Sequence, residues 1–279
     1  MSSVNFHSNN GLEFLAINNE YCEAEIYLHG AHVTKYAPKG HDNLLWMSPS
    51  AQFQSDKAIR GGIPICWPWF GPAAEPSLPQ HGFARTNSWT IKAIEESAQA
   101  VVVKLFLDES IVQANHWPTG HKVELHFSFG KQLKVEIINF NDSQQTIEIS
   151  QALHTYFDIE DISQTHIEGL ANTSYVEFAQ EHTQATRLMT IDQEVDRVYY
   201  PSLQSQIINS PKAKLKMTRY QSNSCVLWNP WAEKAKAMAD FDDLGYLQML
   251  CLESGNIGKD AISLAPGQSH QHGFSLEVI

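Results

Sequence analysis

The sequence of 279 residues lacks the patterns that mark several large classes of protein. Its four cysteines lie far apart and none forms a CxxC pair, so we expect reduced core thiols rather than a disulfide framework. No run of about 18 apolar residues occurs, which predicts no membrane association through a spanning helix. The polar N-terminus has no apolar segment typical of a signal peptide, so we expect a cytoplasmic protein.

A basic surface is also missing. The chain has 31 acidic and 19 basic residues and a formal net charge of −12. Nucleic-acid binding requires a basic footprint, so no nucleic-acid partner is expected. An anionic ligand would have to be held by a few local arginines against the overall field.

The sequence contains no GxGxxG, P-loop, GxSxG or HExxH motif and no zinc-type Cys/His spacing. Its 13 histidines are scattered. His270 and His272 share one strand face by their spacing, but two ligands do not make a metal site. We therefore expect no metal and no cofactor.

Alternating apolar residues predict many short strands. Residues 21–36 alternate around a turn at Gly30, and His121–Gly130 places Val123, Leu125, Phe127 and Phe129 on one face. Such strands, separated by turn residues, indicate an all-β fold with a minor helix, a large antiparallel β-sandwich. No repeat or linker divides the chain, so we expect one domain over residues 1–279. Further predicted strands cover 88–93, 100–108, 132–139, 145–157, 165–169, 174–178, 205–208, 214–219, 225–228, 247–253, 262–264 and 272–278.

One helix is predicted. Asn229 is a suitable N-cap, Pro230 suits the first helical position, and Trp231–Ala239 is rich in Ala and Lys.

The stretch from Arg60 to Arg85 is dense in proline and glycine, which regular helices and strands do not tolerate. Its aromatic residues Trp67, Trp69 and Phe70 argue against disorder, so an ordered loop that lines a site is predicted. The two arginines are suited to bind a phosphate or carboxylate together. Alternatively, they anchor the loop to backbone carbonyls. The aromatic rings either face a sugar or form the loop's own small core.

His154 and Glu253 are the candidates for chemistry. On a strand over 145–157, His154 would share a face with Ser150 and Ala152, which leaves room for a ligand; alternatively, core partners satisfy its ring. Glu253 ends an apolar strand and precedes a Gly-containing turn. A carboxylate there is costly unless it is paired or used, and burial raises its pKa toward that of a general base. The alternative is a salt-bridged structural glutamate.

Asp196 stands beside Arg197 between apolar neighbours. Adjacent residues of opposite charge usually form a surface ion pair. The apolar flanks indicate partial burial, which suits a carboxylate that accepts hydrogen bonds from sugar hydroxyls.

Six motifs in order carry a family resemblance: RGGIPICWPWFGP, LPQHGFAR, ALHTYF, EVDRVYY, VLWNPW with the following EKAKAMADF, and CLESGNIG. From about residue 60 onward the chain resembles the hexose-6-phosphate mutarotases, or glucose-6-phosphate 1-epimerases, of the galactose mutarotase-like superfamily. The resemblance implies a one-domain β-sandwich that needs no cofactor. By motif, it implies His154 as general acid, Glu253 as general base, Arg60, Gln80, Arg85 and Asp196 as substrate-binding residues, and His81 as a second active-site histidine.

The implied reaction interconverts the α and β anomers of a hexose 6-phosphate, most simply glucose 6-phosphate. Glu253 would remove the proton of the C1 hydroxyl, and protonated His154 would deliver a proton to the ring oxygen. The partner is then a small-molecule sugar phosphate bound by a monomer. Three alternatives stay open: an aldose 1-epimerase for neutral sugars, a non-catalytic sugar-phosphate binding protein, and a glycoside hydrolase or lyase with two carboxylates.

Overall fold

The chain folds into antiparallel β-structure, described by a computed structural model over residues 3–115, 117–184 and 186–279. The first eleven strands are β1 Val4–Asn9, β2 Leu12–Asn18, β3 Cys22–Tyr27, β4 His32–Pro38, β5 Ile65–Cys66, β6 Thr90–Glu96, β7 Ala100–Phe106, β8 His121–Gly130, β9 Leu133–Asn141, β10 Ile147–Ile149 and β11 Gln151–Leu153. The others are β12 Tyr156–Asp158, β13 His166–Glu168, β14 Thr173–Glu177, β15 Gln180–Gln184, β16 Val195–Tyr199, β17 Ser205–Asn209, β18 Lys214–Tyr220, β19 Ser224–Asn229, β20 Met249–Asn256, β21 Ile262–Leu264 and β22 Ser269–Val278.

Two eight-stranded sheets make up the sandwich. The first, here called the site sheet, has the order β15–β14–β16–β19–β20–β11–β5, and β12 also pairs with β20. The second has the order β13–β17–β18–β22–β9–β8–β7–β6. A four-stranded sheet, β1–β2–β3–β4, and the pair β10–β21 complete the framework. Within the described ranges, all pairings between these strands run antiparallel, as the turn-separated strand pattern predicts.

The two large sheets share one core. In β8 every second side chain is buried, including Leu125 and Phe127, which matches the alternation in the sequence. These side chains belong to the same apolar cluster as Leu227 of β19 and Leu252 of β20. All residues of β19 and β20 are buried, so the second face of these strands is covered as well. That second face carries the candidate site.

The prediction of one continuous strand over 145–157 is wrong. This stretch is divided into β10, β11 and β12, because β10 pairs with β21 whereas the other two pair with β20. Strands β1 and β15 were not predicted, because most of their side chains are exposed and show no apolar alternation. β2 and β16 were missed as well, and so was helix α1, Glu109–Ala114.

Helix α2 spans Trp231–Ala237, two residues less than predicted. Pro230 is its N-cap, and the Asn229 side chain nevertheless accepts a hydrogen bond from the Trp231 backbone N–H at 2.9 Å. The described helices include none that is long and apolar enough to cross a membrane. All four cysteines are free and buried, which confirms their prediction as reduced core thiols: Cys22, Cys66, Cys225 and Cys251.

The segment Arg60–Arg85 is ordered by contacts with the site sheet. Contrary to the prediction of a wholly irregular loop, it contributes β5, in which Cys66 pairs with Ala152. A short 3₁₀ turn, Ala84–Thr86, ends it. Gly82 has a φ of +74°, and the backbone of Trp67 lies directly beside it.

Gly82→Ala should lower the free energy of unfolding by about 3 kcal/mol, because of backbone strain at a positive φ together with a clash. A Cβ at this position would lie 1.8 Å from the Trp67 carbonyl oxygen. Gly71→Ala is the matched control, since its φ is +79° and no atom lies within 4 Å of the added Cβ. The control should lose only about 1–2 kcal/mol. Equal losses in denaturant unfolding would contradict the clash argument.

Candidate active site

All seven residues singled out in the sequence line one cavity of about 550 Å³. This volume lies within the usual range for small-molecule sites. The residues come from five separate parts of the chain, and the fold brings them together: Arg60, Gln80, His81, Arg85, His154, Asp196 and Glu253.

One face of the site sheet forms the cavity floor. Strand register places Val198 of β16 beside Val226 of β19, and Val226 beside Glu253 of β20. Two residues along, Asp196 lies beside Trp228. Because side chains alternate in a strand, these five residues point to the same face, and all of them line the cavity.

Glu253 was predicted to end its strand, but it lies inside β20. The strand continues to Asn256, so Gly255 belongs to the strand and not to a turn. Its side chain is 1% exposed. Neither carboxyl oxygen has a hydrogen-bond partner among the described residues. Buried polar groups are almost always hydrogen-bonded, so this unpaired carboxyl group points to a ligand or a reaction.

His154 lies between β11 and β12, outside the regular strand that the sequence predicted. Its Nε2 is 3.3 Å from Glu253 Oε1, and its Nδ1 has no hydrogen-bond partner among the described residues. The ring of Tyr156 stacks on the imidazole with centroids 4.8 Å apart, and Trp228 meets it edge-on at 6.0 Å. The histidine is therefore held by aromatic packing and has one nitrogen close to the carboxyl group.

Burial shifts the two pKa values in opposite directions. It raises the pKa of Glu253 well above its ordinary value, and the negative charge of Asp196 adds to this effect. Burial also lowers the pKa of His154 well below its ordinary value, together with the nearby His81, Arg85 and Arg60. These shifts favour a protonated carboxyl beside a neutral imidazole.

His81 occupies a left-handed backbone conformation, with φ of 62°. Two hydrogen bonds with Gly71 hold it: the His81 N–H donates to the Gly71 carbonyl at 2.8 Å, and the Gly71 N–H donates to His81 Nδ1 at 3.2 Å. Burial lowers the pKa of His81 to about 3, so the ring is neutral. With Nδ1 accepting, its proton resides on Nε2, which makes the ring a hydrogen-bond donor.

The two loop arginines differ in their partners. Arg60 donates from Nε and Nη2 to both oxygens of Asp240, at 3.1 and 3.2 Å, and from Nη1 to the Tyr156 hydroxyl at 3.0 Å. Arg85 donates from Nη2 to the Gln80 backbone carbonyl at 2.9 Å. The bond of Arg85 matches the loop-anchoring alternative, yet both guanidinium groups also line the cavity.

Asp196 is not paired with its sequence neighbour. Arg197 donates from Nε to Glu177 at 3.0 Å, whereas Asp196 lies 3.6 Å from the ammonium of Lys234. That lysine also contacts Glu194 at 3.0 Å. Burial raises the pKa of Asp196, and the nearby Lys234 opposes this shift. Gln80 is exposed at the cavity edge.

Among the three loop aromatics, Phe70 is the one that lines this cavity. Trp67 is fully buried and donates to Asn139, and Trp69 borders a different cavity. Trp67 and Trp69 both pack on Phe83 and so match the alternative of a core within the loop, whereas Phe70 matches the alternative of a ring that faces the ligand. Three further lining residues were not predicted: Tyr156, Trp228 and Lys234. Strand alternation could have found Trp228, since it shares a face with Val226.

No group of three or more His, Cys, Asp or Glu residues able to hold a metal occurs in the part of the chain that the structure describes. His116 lies outside that part. The cavity instead joins an imidazole–carboxyl pair to three cations and aromatic rings. Such a pair can exchange protons with a bound ligand without any added group. The sandwich and this cavity together match what is expected of a sugar-binding enzyme of the mutarotase class.

Comparisons with known proteins agree. The model of the family "Aldose 1-epimerase" matches residues 13–277. A protein of Escherichia coli (strain K12) with the name "Putative glucose-6-phosphate 1-epimerase" is 33% identical over 247 residues, or 87% of this chain and 83% of that protein. A protein of Cenchrus ciliaris with the same name is 34% identical over 284 residues, 96% of this chain and 85% of its own.

A crystal structure from Salmonella typhimurium, described as a "putative mutarotase (YeaD)", superimposes with a TM-score of 0.92. It is 27% identical, and the match covers 99% of this chain and 93% of that one. The chain belongs to the aldose 1-epimerase family and is a sugar epimerase, hence an isomerase. The family resemblance and the galactose mutarotase-like antiparallel β-sandwich are both confirmed.

Glu253→Gln should stabilise the protein at neutral and alkaline pH by about 1–3 kcal/mol. Because the pKa of Glu253 is raised on folding, the stability from its proton is present below the unfolded pKa of about 4.3. This stability is lost as the pH rises through the folded-state pKa. Glutamine stays neutral at every pH and avoids that loss.

Melting temperatures between about pH 4 and pH 9 measure this effect. The difference between the variant and the wild type should grow with pH. Glu233→Gln, at a glutamate whose side chain is 93% exposed, is the control and should show no such trend. A difference for Glu253→Gln that is independent of pH would contradict the raised pKa.

Proposed function

We propose that this protein interconverts the α and β anomers of a hexose 6-phosphate, with glucose 6-phosphate as the main substrate. One observation carries the proposal: the His154–Glu253 contact of 3.3 Å lies in the same cavity as Arg60 and Arg85. The first pair suits proton exchange at the anomeric centre, and the two arginines suit a phosphate.

The reaction needs one proton removed and one delivered. Glu253 takes the proton of the C1 hydroxyl while His154 donates one to the ring oxygen, and the C1–ring oxygen bond breaks. Rotation about the C1–C2 bond exposes the other face of the aldehyde. Closure of the ring then reverses both transfers, so the enzyme returns to its starting state.

These roles require a proton on His154 and none on Glu253, which is the opposite of what the two pKa shifts favour. Transfer of a single proton across the 3.3 Å contact creates both groups at once. A bound phosphate would offset the positive charges of Arg60 and Arg85, which help to lower the pKa of His154. The substrate thereby favours the charged imidazole that delivers the proton.

Polar groups at the cavity wall are suited to orient the sugar. The ionised carboxylate of Asp196 accepts hydrogen bonds from hydroxyl groups, and Lys234 at 3.6 Å favours its ionised form. The neutral ring of His81 offers an N–H donor. Gln80 provides a donor and an acceptor at the edge. Fixing several hydroxyls keeps the anomeric centre aligned with the acid and the base.

The names of the Escherichia coli and Cenchrus ciliaris relatives support a phosphorylated substrate for this chain. A second candidate, an aldose 1-epimerase for neutral sugars, is favoured by the existing partners of the arginines. Arg60 is already paired with Asp240, and Arg85 already donates to a backbone carbonyl. We also infer that residues 1–279 form one domain, because both large sheets contribute to one core.

Glu253→Gln should lower kcat for anomerisation by about 10²- to 10⁴-fold, the usual contribution of a general base. An amide cannot take the C1 hydroxyl proton, while the cavity keeps its shape. NMR exchange spectroscopy on α-glucose 6-phosphate measures the rate, with glucose and galactose alongside. Normal activity in this variant would remove Glu253 from the mechanism, and a wild type without anomerase activity would remove the proposal.

Arg60→Ala and Arg85→Ala should each raise KM for glucose 6-phosphate by about 10- to 100-fold, which corresponds to one charge-assisted hydrogen bond. KM for galactose should change little, since a neutral sugar makes no such contact. Lys236→Ala, at a lysine on α2 with a 58% exposed side chain, controls for loss of positive charge outside the cavity. A wild type that turns over galactose as fast as the phosphate ester would favour the neutral-sugar candidate.

A further inference from the structure

Asp240 accepts hydrogen bonds from two nitrogens of the Arg60 guanidinium. The group has five N–H donors. Asp240 accepts from Nε and from Nη2 at 3.1 and 3.2 Å, and Tyr156 accepts from Nη1 at 3.0 Å. One N–H therefore remains on each terminal nitrogen. These remaining donors are suited to bind the oxygens of a phosphate.

The position of Asp240 is fixed by the packing of the next residue, Phe241. Phe241 is buried, with its ring 4.8 Å from Trp46 and 6.3 Å from Trp228. The Phe241 N–H donates to the Met238 carbonyl at 3.1 Å. Asp240 thus belongs to the segment after α2, which packs on Trp46 and on the cavity-lining Trp228. The Arg60 guanidinium is bound to Asp240 through two nitrogens and is therefore held in a fixed orientation.

We propose that Asp240 is a positioning residue that aligns Arg60 with the phosphate of the substrate, an inference that rests on the proposed function. The same guanidinium holds the Tyr156 hydroxyl, and the Tyr156 ring stacks on His154. Asp240 thereby links the position of the phosphate to the position of the imidazole. Side chains 180 positions apart in the sequence act as one unit.

A competing effect has the opposite sign. The negative charge of Asp240 repels a phosphate, so removing the charge would strengthen binding if charge alone mattered. Alignment predicts weaker binding instead. Asparagine at this position turns an NH₂ group toward the N–H donors of Arg60, which breaks one of the two hydrogen bonds and releases the guanidinium. The sign of the change in KM separates the two effects.

The experiment is a double-mutant cycle with Arg60→Ala and Asp240→Asn, read as kcat and KM for α-glucose 6-phosphate. Asp240→Asn should raise KM about tenfold, the effect of one charge-assisted hydrogen bond. It should change kcat much less, and add nothing in the Arg60→Ala background. Asp240→Glu keeps the charge but moves the carboxylate, so alignment predicts a raised KM there too. Asp243→Asn removes an exposed charge from the same segment and should have no effect.

A KM that is unchanged or lowered in Asp240→Asn would overturn the inference. An equal rise with and without Arg60 would overturn it as well. If the asparagine variant melts at a much lower temperature, Asp240→Glu carries the same test, and a wild-type KM in that variant is the overturning result. A wild type that turns over galactose as fast as the phosphate ester removes the proposed function itself, and so differs from a failure of Asp240 alone.

Discussion

The unpaired carboxyl group of Glu253 is the constraint around which the site is arranged. It lies in the middle of a strand whose eight residues are all buried, and neither oxygen has a hydrogen-bond partner among the described residues. A buried carboxyl without a partner costs free energy, and a buried carboxylate costs more. The fold tolerates this cost because β20 is fixed on both sides, by β19 and by β11. Stability alone does not explain a carboxyl group at this position, which supports the proposed role of Glu253 as the base.

The pKa of Glu253 depends on burial and on the charges around the carboxyl group. Burial and the negative charge of Asp196 raise the pKa of Glu253, whereas the positive charge of Arg85 opposes this shift. The other two cations of the cavity, Arg60 and Lys234, are paired with carboxylates of their own. On the proposed function, a phosphate that enters this arrangement meets donors that neighbouring residues already hold in place.

Sequence periodicity predicted strands in which apolar and polar side chains alternate. The alternation in β8 predicted both bounds of the strand and its buried face. It failed for β15, whose side chains are mostly exposed, and for the stretch 145–157, where three strands find different partners. Motifs pointed to seven of the residues that line the cavity. The Asp240–Arg60 pair was not predicted, because the two residues are 180 positions apart and no local pattern encodes their contact.

On the proposed function, the arrangement separates substrate selection from chemistry. Glu253 is fixed within the site sheet, whereas Arg60 and Arg85 lie at the ends of a loop that is bound to that sheet through β5. Changes in the loop are then expected to alter which ligand is accepted without moving the carboxyl group. Tyr156 connects the two parts, since it accepts a hydrogen bond from Arg60 and stacks on His154. Tyr156 therefore joins the residue proposed to bind the phosphate to the residue proposed to deliver the proton.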